Sequence, residues 1–128
     1  MKEQLISFET AVLAKKNNVE IESYEFYTHR GDLCKDQNFR NQSQYYGSYG
    51  AYKQTLLQEW FEKVHGKTII IDLDSFLFNG KCDFKFYIYQ KEGNDVRQLN
   101  DYKLSSVQGT YEEALEKGLQ EAFKYINK

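Results

Sequence analysis

The chain has 128 residues, 41% of them hydrophobic, and its 17 Lys and Arg against 19 Asp and Glu leave a formal charge of −2. That length can bury a core without metal or disulfide staples. The near-neutral balance holds on both sides of Tyr52 (6 basic against 7 acidic residues up to it, 11 against 12 after it), so no basic half marks a nucleic-acid-binding domain.

Cys34 and Cys82 are the only cysteines. They are too few for a zinc site and too far apart for a redox pair, so two free thiols in a reducing compartment are expected. No stretch approaches the roughly 18 apolar residues of a membrane span. The first residues carry no apolar leader segment, so a soluble, cytoplasmic protein without membrane contact is expected. No cofactor motif and no catalytic constellation occur, so the chain reads as a non-enzyme that needs no cofactor.

In chain order, Ser7 to Lys16 predicts a short helix. Ser7 accepts from free N–H groups at its start, and Glu9 suits the positive end of the dipole. Phe8, Ala11, Val12 and the stem of Lys15 fall on one face, and Asn17-Asn18 ends the helix. Tyr24 to Thr28 predicts a short strand. Residues 29–52 lose hydrophobic periodicity and become rich in Tyr, Asn, Gln, Ser and Gly, which predicts a long polar loop.

Lys53 to His65 reads as an amphipathic helix with Leu56, Leu57, Trp60, Phe61 and Val64 at helical spacing. Gly66 supplies a left-handed stop. Two strand-like runs then flank Asn79-Gly80, the strongest short-range hairpin signal. A two-residue turn there predicts Asp74 opposite Lys85, Leu73 opposite Phe86 and Ile71 opposite Ile88. One face then carries Ile69, Ile71, Leu73, Leu77, Cys82, Phe84, Phe86 and Ile88. The other carries Ile70, Asp72, Asp74, Phe76, Asp83, Lys85, Tyr87 and Tyr89, and looks outward.

Gly93-Asn94-Asp95 marks a second turn, followed by weaker strand material at Val96 to Leu99 and Lys103 to Val107. Thr110 and Glu113 form a capping box. The helix after it aligns Tyr111, Ala114, Leu115, Gly118, Leu119, Ala122, Phe123 and Ile126. Gly118 costs about 1 kcal/mol relative to Ala, which predicts a close approach of this helix to the sheet or to the other helix.

The fold class is therefore α+β in one domain: a small antiparallel sheet of about three strands with helices 53–65 and 111–126 on one face (α-β-β-β-α). The N-terminal helix and short strand of residues 1–28 and the loop of residues 29–52 precede it.

The order of elements over residues 53–127 resembles the double-stranded RNA-binding domain, and Leu56-Leu57-Gln58 is similar to a stretch in that family's first helix. The family's lysine motif at the start of the last helix is matched here by Thr110-Tyr111-Glu112-Glu113-Ala114-Leu115-Glu116-Lys117. Carboxylates stand where lysines would meet phosphate, so the resemblance implies topology alone. Three further blocks, Phe8 to Lys15, Leu57 to His65 and Thr110 to Leu119, are similar to blocks of a small uncharacterised protein family of Bacteroides-type bacteria and their phages. That resemblance implies a mobile-element setting and no chemistry.

The candidate binding residues are Phe76, Tyr87 and Tyr89 on the outward sheet face and Tyr45, Tyr46 and Tyr49 within the contact segment Tyr45 to Tyr52. Tyr rings suit adaptable contacts. The N-terminal helix of the same chain is an alternative occupant of the sheet face. Asp72, Asp74 and Asp83 could hold a hard cation, but alternating charges on a strand read first as a solvated face. His65 with Glu62 could serve as a base and its orienter, but reads first as a helix-end histidine that favours the negative dipole end. His29 with Cys34 lacks a rigid frame and an orienting partner. A protein partner or self-association is the expected interaction. A divergent nucleic-acid-binding domain is the alternative, opposed by the acidic balance.

Overall fold

A computed structural model describes residues 4–35, 48–76, 82–101 and 105–126. They form an α+β protein of three helices and two antiparallel sheets. The chain divides into two compact units, Met1–Leu57 and Gln58–Lys128.

In the first unit, α1 (Phe8–Lys16) starts as its sequence predicts: the Ser7 side chain accepts from the Thr10 N–H at 3.3 Å. It ends at Asn17, and Asn18 takes a left-handed φ of 58°. Its buried face differs from the predicted one. Thr10, Ala11 and Ala14 are buried, while Phe8 and Val12 are half-buried. Thr10 can go inside because its hydroxyl lies 3.1 Å from that of Ser7, so it is not left without a partner.

The described ends of the polar segment form strands that its composition does not predict. β1 (Glu25–Tyr27) pairs with both β2 (Leu33–Lys35) and β3 (Tyr49–Gly50), in the order β2-β1-β3. The predicted loop therefore contains two strands, and its residues 36–47 lie outside the described residues. A tight turn joins β1 to β2. The Thr28 hydroxyl accepts from the Arg30 and Asp32 N–H groups, and Gly31 takes φ 88°. Only a residue without Cβ adopts that φ at little cost.

In the second unit the elements are long. α2 (Gln54–His65) crosses the boundary between the units, and Gly66 ends it with φ 65°. Leu57 and Phe61 are buried, but Leu56 and Val64, predicted on the same stripe, are exposed. β4 (Lys67–Phe76) and β5 (Cys82–Glu92) form the hairpin. β6 (Asp95–Gln98) follows through the two-residue turn Gly93-Asn94, and β7 (Ser106–Gly109) leads into α3 (Tyr111–Ile126).

The hairpin register differs from the turn-based prediction. Ile69 faces Ile88, Ile71 faces Phe86, Leu73 faces Phe84 and Asp72 faces Lys85. A register shift between Leu73 and Ser75 leaves Asp74 without the predicted Lys85 opposite it. The Asn79-Gly80 turn lies outside the described residues, but Ser75–Asp83 and Phe76–Cys82 already sit one residue off the turn-based register, and the irregularity adds a second. Up to Leu73 the error is two residues, which preserves the face of each side chain. Phe76 instead falls opposite Cys82, not in the row of Asp83 where the turn would put it.

β6 and β7 both pair with β5 along one edge, β6 beside its end and β7 beside its start. The third strand of the prediction is thus two half-strands. The Asn100 side chain stands at the break between them. Its Oδ1 accepts from the Ile88 N–H at 2.8 Å, and its Nδ2 donates to the Phe86 carbonyl at 2.9 Å. A side-chain amide replaces the missing stretch of backbone, so two buried main-chain groups stay paired.

α3 lies on the Ile69, Phe86 side of the sheet. A Cβ on Gly118 would sit 3.1 Å from Ile69 Cγ2 and 3.3 Å from Phe86 Cβ, so the glycine sets how closely the helix approaches. The predicted stripe is buried from Ala114 to Phe123, while Tyr111 at its start is exposed. The Phe61 and Phe123 rings meet at 4.7 Å, which places the second half of α2 on the same side as α3. The predicted capping box forms in part: Thr110 Oγ1 accepts from the Glu113 N–H at 3.1 Å, and its hydroxyl lies 3.4 Å from the Glu113 carboxylate.

Candidate protein interface

Strand alternation places Thr68, Ile70 and Asp72 of β4 on the side of the sheet away from α3. Their β5 neighbours there are Tyr89, Tyr87 and Lys85, and β6 adds Gln98 and Val96. The Tyr87 and Tyr89 rings stack, with centroids 6.2 Å apart and planes 18° from parallel. Both are half-buried, and Ile70 and Val96 beside them are exposed. Two rigid rings flanked by aliphatic side chains offer contact area at low entropic cost. Around them Lys85 and Lys91 mix with Asp72 and Asp83, so the face has no single sign of charge.

Phe76 sits at the register position opposite Cys82. Tyr45 and Tyr46 lie outside the described residues. Tyr49 belongs to β3, where its ring meets Phe8 edge-on at 5.4 Å and Lys15 Nζ lies 4.8 Å from its centroid. The same ammonium donates to the Ser48 carbonyl at 2.8 Å, so Tyr49 is held within its own unit. Tyr52, the end of the predicted contact segment, is a core residue. Its hydroxyl donates to the Val19 carbonyl at 3.4 Å, and burial pushes its phenol up to about 12.

The titratable candidates are equally dispersed. His65 packs edge-on against Trp60 at 4.9 Å. Burial, then the neighbouring Lys67 charge, hold its imidazole below the usual histidine range. Lys67 is buried and donates to Gln90 Oε1 at 2.7 Å, and burial lowers its ammonium in turn. Gln90 Nε2 donates back to the His65 carbonyl at 3.1 Å, so this polar group closes the C-terminal end of α2. Cys34 lies in β2 opposite Phe26, and His29 is exposed in the preceding turn. Among the described residues, no three His, Cys, Asp or Glu side chains cluster as a metal site would require.

Sequence reasoning missed two features. One is Asn100, whose only signal is an amide between two weak strands. The other is a cavity of about 320 Å³ in the first unit, lined by Leu5, Tyr24, Leu56, Glu25, Lys35 and Lys53 among others. It forms where Leu5 bridges to Lys53 beside the β1 and β2 strands, and no local pattern announces a bridge between residues so far apart. No described helix is long and apolar enough to cross a membrane. No family model, curated protein or solved structure matches the chain.

Proposed function

We propose that this protein is a non-enzymatic interaction module that binds another protein through the outer face of its larger sheet. The observation that carries the reading is the Tyr87–Tyr89 stack, with Ile70 and Val96 exposed around it, on the side of the sheet opposite α3. Buried aromatic anchors dominate the energetics of protein interfaces. The mixed charge of the face suits a protein partner better than a phosphate backbone, which calls for a continuous basic stripe. The three sequence blocks similar to a phage and bacterial family support a setting as an accessory factor of a phage or integrated element, acting in the cytoplasm.

The test has two arms. Partner capture from the native host is compared between wild type and the double variant Tyr87→Ala/Tyr89→Ala, with folding of the variant checked by circular dichroism. A partner held by wild type and lost by the variant supports the proposal. A partner retained equally by both overturns the role of this face. In the second arm, amide NMR follows titration with duplex RNA and with single-stranded DNA at low salt. Shifts at Tyr87 and Tyr89 that fade as salt rises would replace the proposal with the nucleic-acid-binding alternative.

A further inference from the structure

β4 is the outermost strand of its sheet, and among the described residues no strand pairs with its free side. The hydrogen bonds of β5 fix which groups line that side. Ile88 receives the Leu99 N–H on its carbonyl and donates to Asn100, and Phe86 donates to the Ser105 carbonyl and accepts from Asn100. Ile88 and Phe86 thus spend both backbone groups toward β6 and β7. Their partners Ile69 and Ile71 are in non-hydrogen-bonded pairs, so the N–H and C=O groups of these β4 residues point to the free edge. The Ile69 carbonyl confirms this direction by accepting from Gln58 Nε2 at 2.7 Å. Beyond Ile69, among the described residues of this unit, no side chain is found bonded to the edge in this way, and Ile71 and Leu73 present their backbone groups outward.

This stretch also has a side-chain signature. Asp72 and Asp74 are exposed, and neither enters an ion pair with a described residue. Leu73, on the side of the sheet toward α3, is 47% exposed, and Ile70 on the opposite side is 41% exposed. A second copy of the same strand fits poorly. Antiparallel pairing through Ile71 and Leu73 allows three central registers. Leu73 against Leu73 sets Asp72 opposite Asp74, Ile71 against Leu73 sets Asp72 opposite Asp72, and Ile71 against Ile71 leaves the two Asp72 residues diagonal. Like charges directly opposite are destabilising.

We infer that the Ile71–Leu73 edge of β4 accepts an extended segment of another protein as an added strand, one in which Lys or Arg alternates with aliphatic residues. Backbone groups at Ile71 and Leu73 continue the ladder. A basic side chain then stands beside Asp72, and an aliphatic one covers Leu73 on the other side. The inference rests on the reading of the molecule as a protein-binding module and adds the chemistry of the partner, at the edge of the sheet and not at its tyrosines.

A synthetic eight-residue peptide alternating Lys and Val is the probe, with a Glu–Val peptide of the same length as its control. Amide hydrogen exchange is read by NMR on the full chain. Exchange at Ile71 and Leu73 is expected to slow by about tenfold or more at saturation, while Ile70 and Asp72, already bonded to β5, change little. Asp72→Asn is expected to weaken the Lys–Val peptide about two- to fivefold, and Asp72→Lys to transfer preference to the Glu–Val peptide. Equal binding of both peptides by wild type overturns the inference, as does protection elsewhere than Ile71 and Leu73, or no binding. Tyr87→Ala/Tyr89→Ala should leave the peptide response intact, so failure at the tyrosine face and failure at the edge are separate results.

Discussion

The two units are held together by different kinds of interaction. In the second, long elements bury large apolar side chains: Phe61, Ile69, Phe86, Ile88, Leu119 and Phe123 are all nearly inaccessible. In the first, small buried side chains (Ala11, Ala14, Val19, Ala51) stand beside only a few large ones (Ile6, Tyr52, Leu57), and directional bonds tie the chain together. The Tyr27 hydroxyl donates to the Ile6 carbonyl at 2.6 Å, Tyr52 reaches Val19, and Lys15 reaches Ser48. Apolar burial stabilises in proportion to area and tolerates small shifts, whereas a hydrogen bond needs its partner in one place. The second unit should therefore be most sensitive to lost volume and the first to lost geometry.

Phe123→Ala offers the largest test of that contrast. It empties space between the Phe61 and Trp60 rings and is expected to cost about 3–5 kcal/mol, measured by urea unfolding. Hydrogen exchange should quicken first in β4, β5 and α3. Equal and simultaneous loss of protection in β1 and β3 would break the distinction between the units.

Asn100→Ala comes next and sharpens the comparison, because it is a polar dependence inside the apolar unit. It strands the Ile88 N–H and the Phe86 carbonyl, at a cost of about 2–3 kcal/mol for two buried unsatisfied groups. A loss within experimental error would mean that water or a shift of the chain replaces the amide.

Tyr27→Phe removes one hydroxyl in the first unit and should cost about 1 kcal/mol. The same substitution at Tyr87 or Tyr89, whose rings stack with each other, should change stability by less. Equal effects at all three positions would remove the argument that directional bonds matter more in the first unit.

The smallest expected effect is a pH dependence at His65. Its imidazole titrates below the usual histidine range because burial, then Lys67, disfavour the charged form. A lowered folded value means that the unfolded chain takes up this proton first. Its contribution is thus fully present above about 6.5 and is lost as pH falls through the lowered value. Trp60 is the only tryptophan and touches the ring, so its fluorescence reports the titration directly. The midpoint should lie below about 6.5 and vanish in His65→Gln. A midpoint above that value would show that the negative end of α2 outweighs burial.

What the sequence revealed follows the same division. α3 was legible because its sixteen residues, Tyr111–Ile126, repeat one helical pattern. Gly118 was legible as a close approach, and the approach is to the sheet. The apolar hairpin face was legible although the pairing was not, since the total displacement up to Leu73 is two residues, which leaves Ile69, Ile71 and Leu73 on their predicted side. β2 and β3, of three and two residues, are too short to show alternation. Their clues were local: Thr28 and Gly31 in turn positions, and a glycine at 50, where a Cβ would overlap the Tyr52 ring. Of the candidate interface, Tyr87 and Tyr89 were legible from strand parity. The burial of Tyr52 was not, because composition describes a segment and says nothing of which ring is buried.

Asn100 has a further consequence, for evolution. Its position requires one acceptor and one donor at the reach of a two-carbon side chain. Aspartate would set a second acceptor against the Phe86 carbonyl, glutamine would overshoot by a methylene, and leucine would leave both main-chain groups bare. The half-strands beside it are largely exposed and supply mainly backbone, so their sequences are free to drift. As relatives of this chain diverge, β6 and β7 should vary residue by residue around one invariant amide.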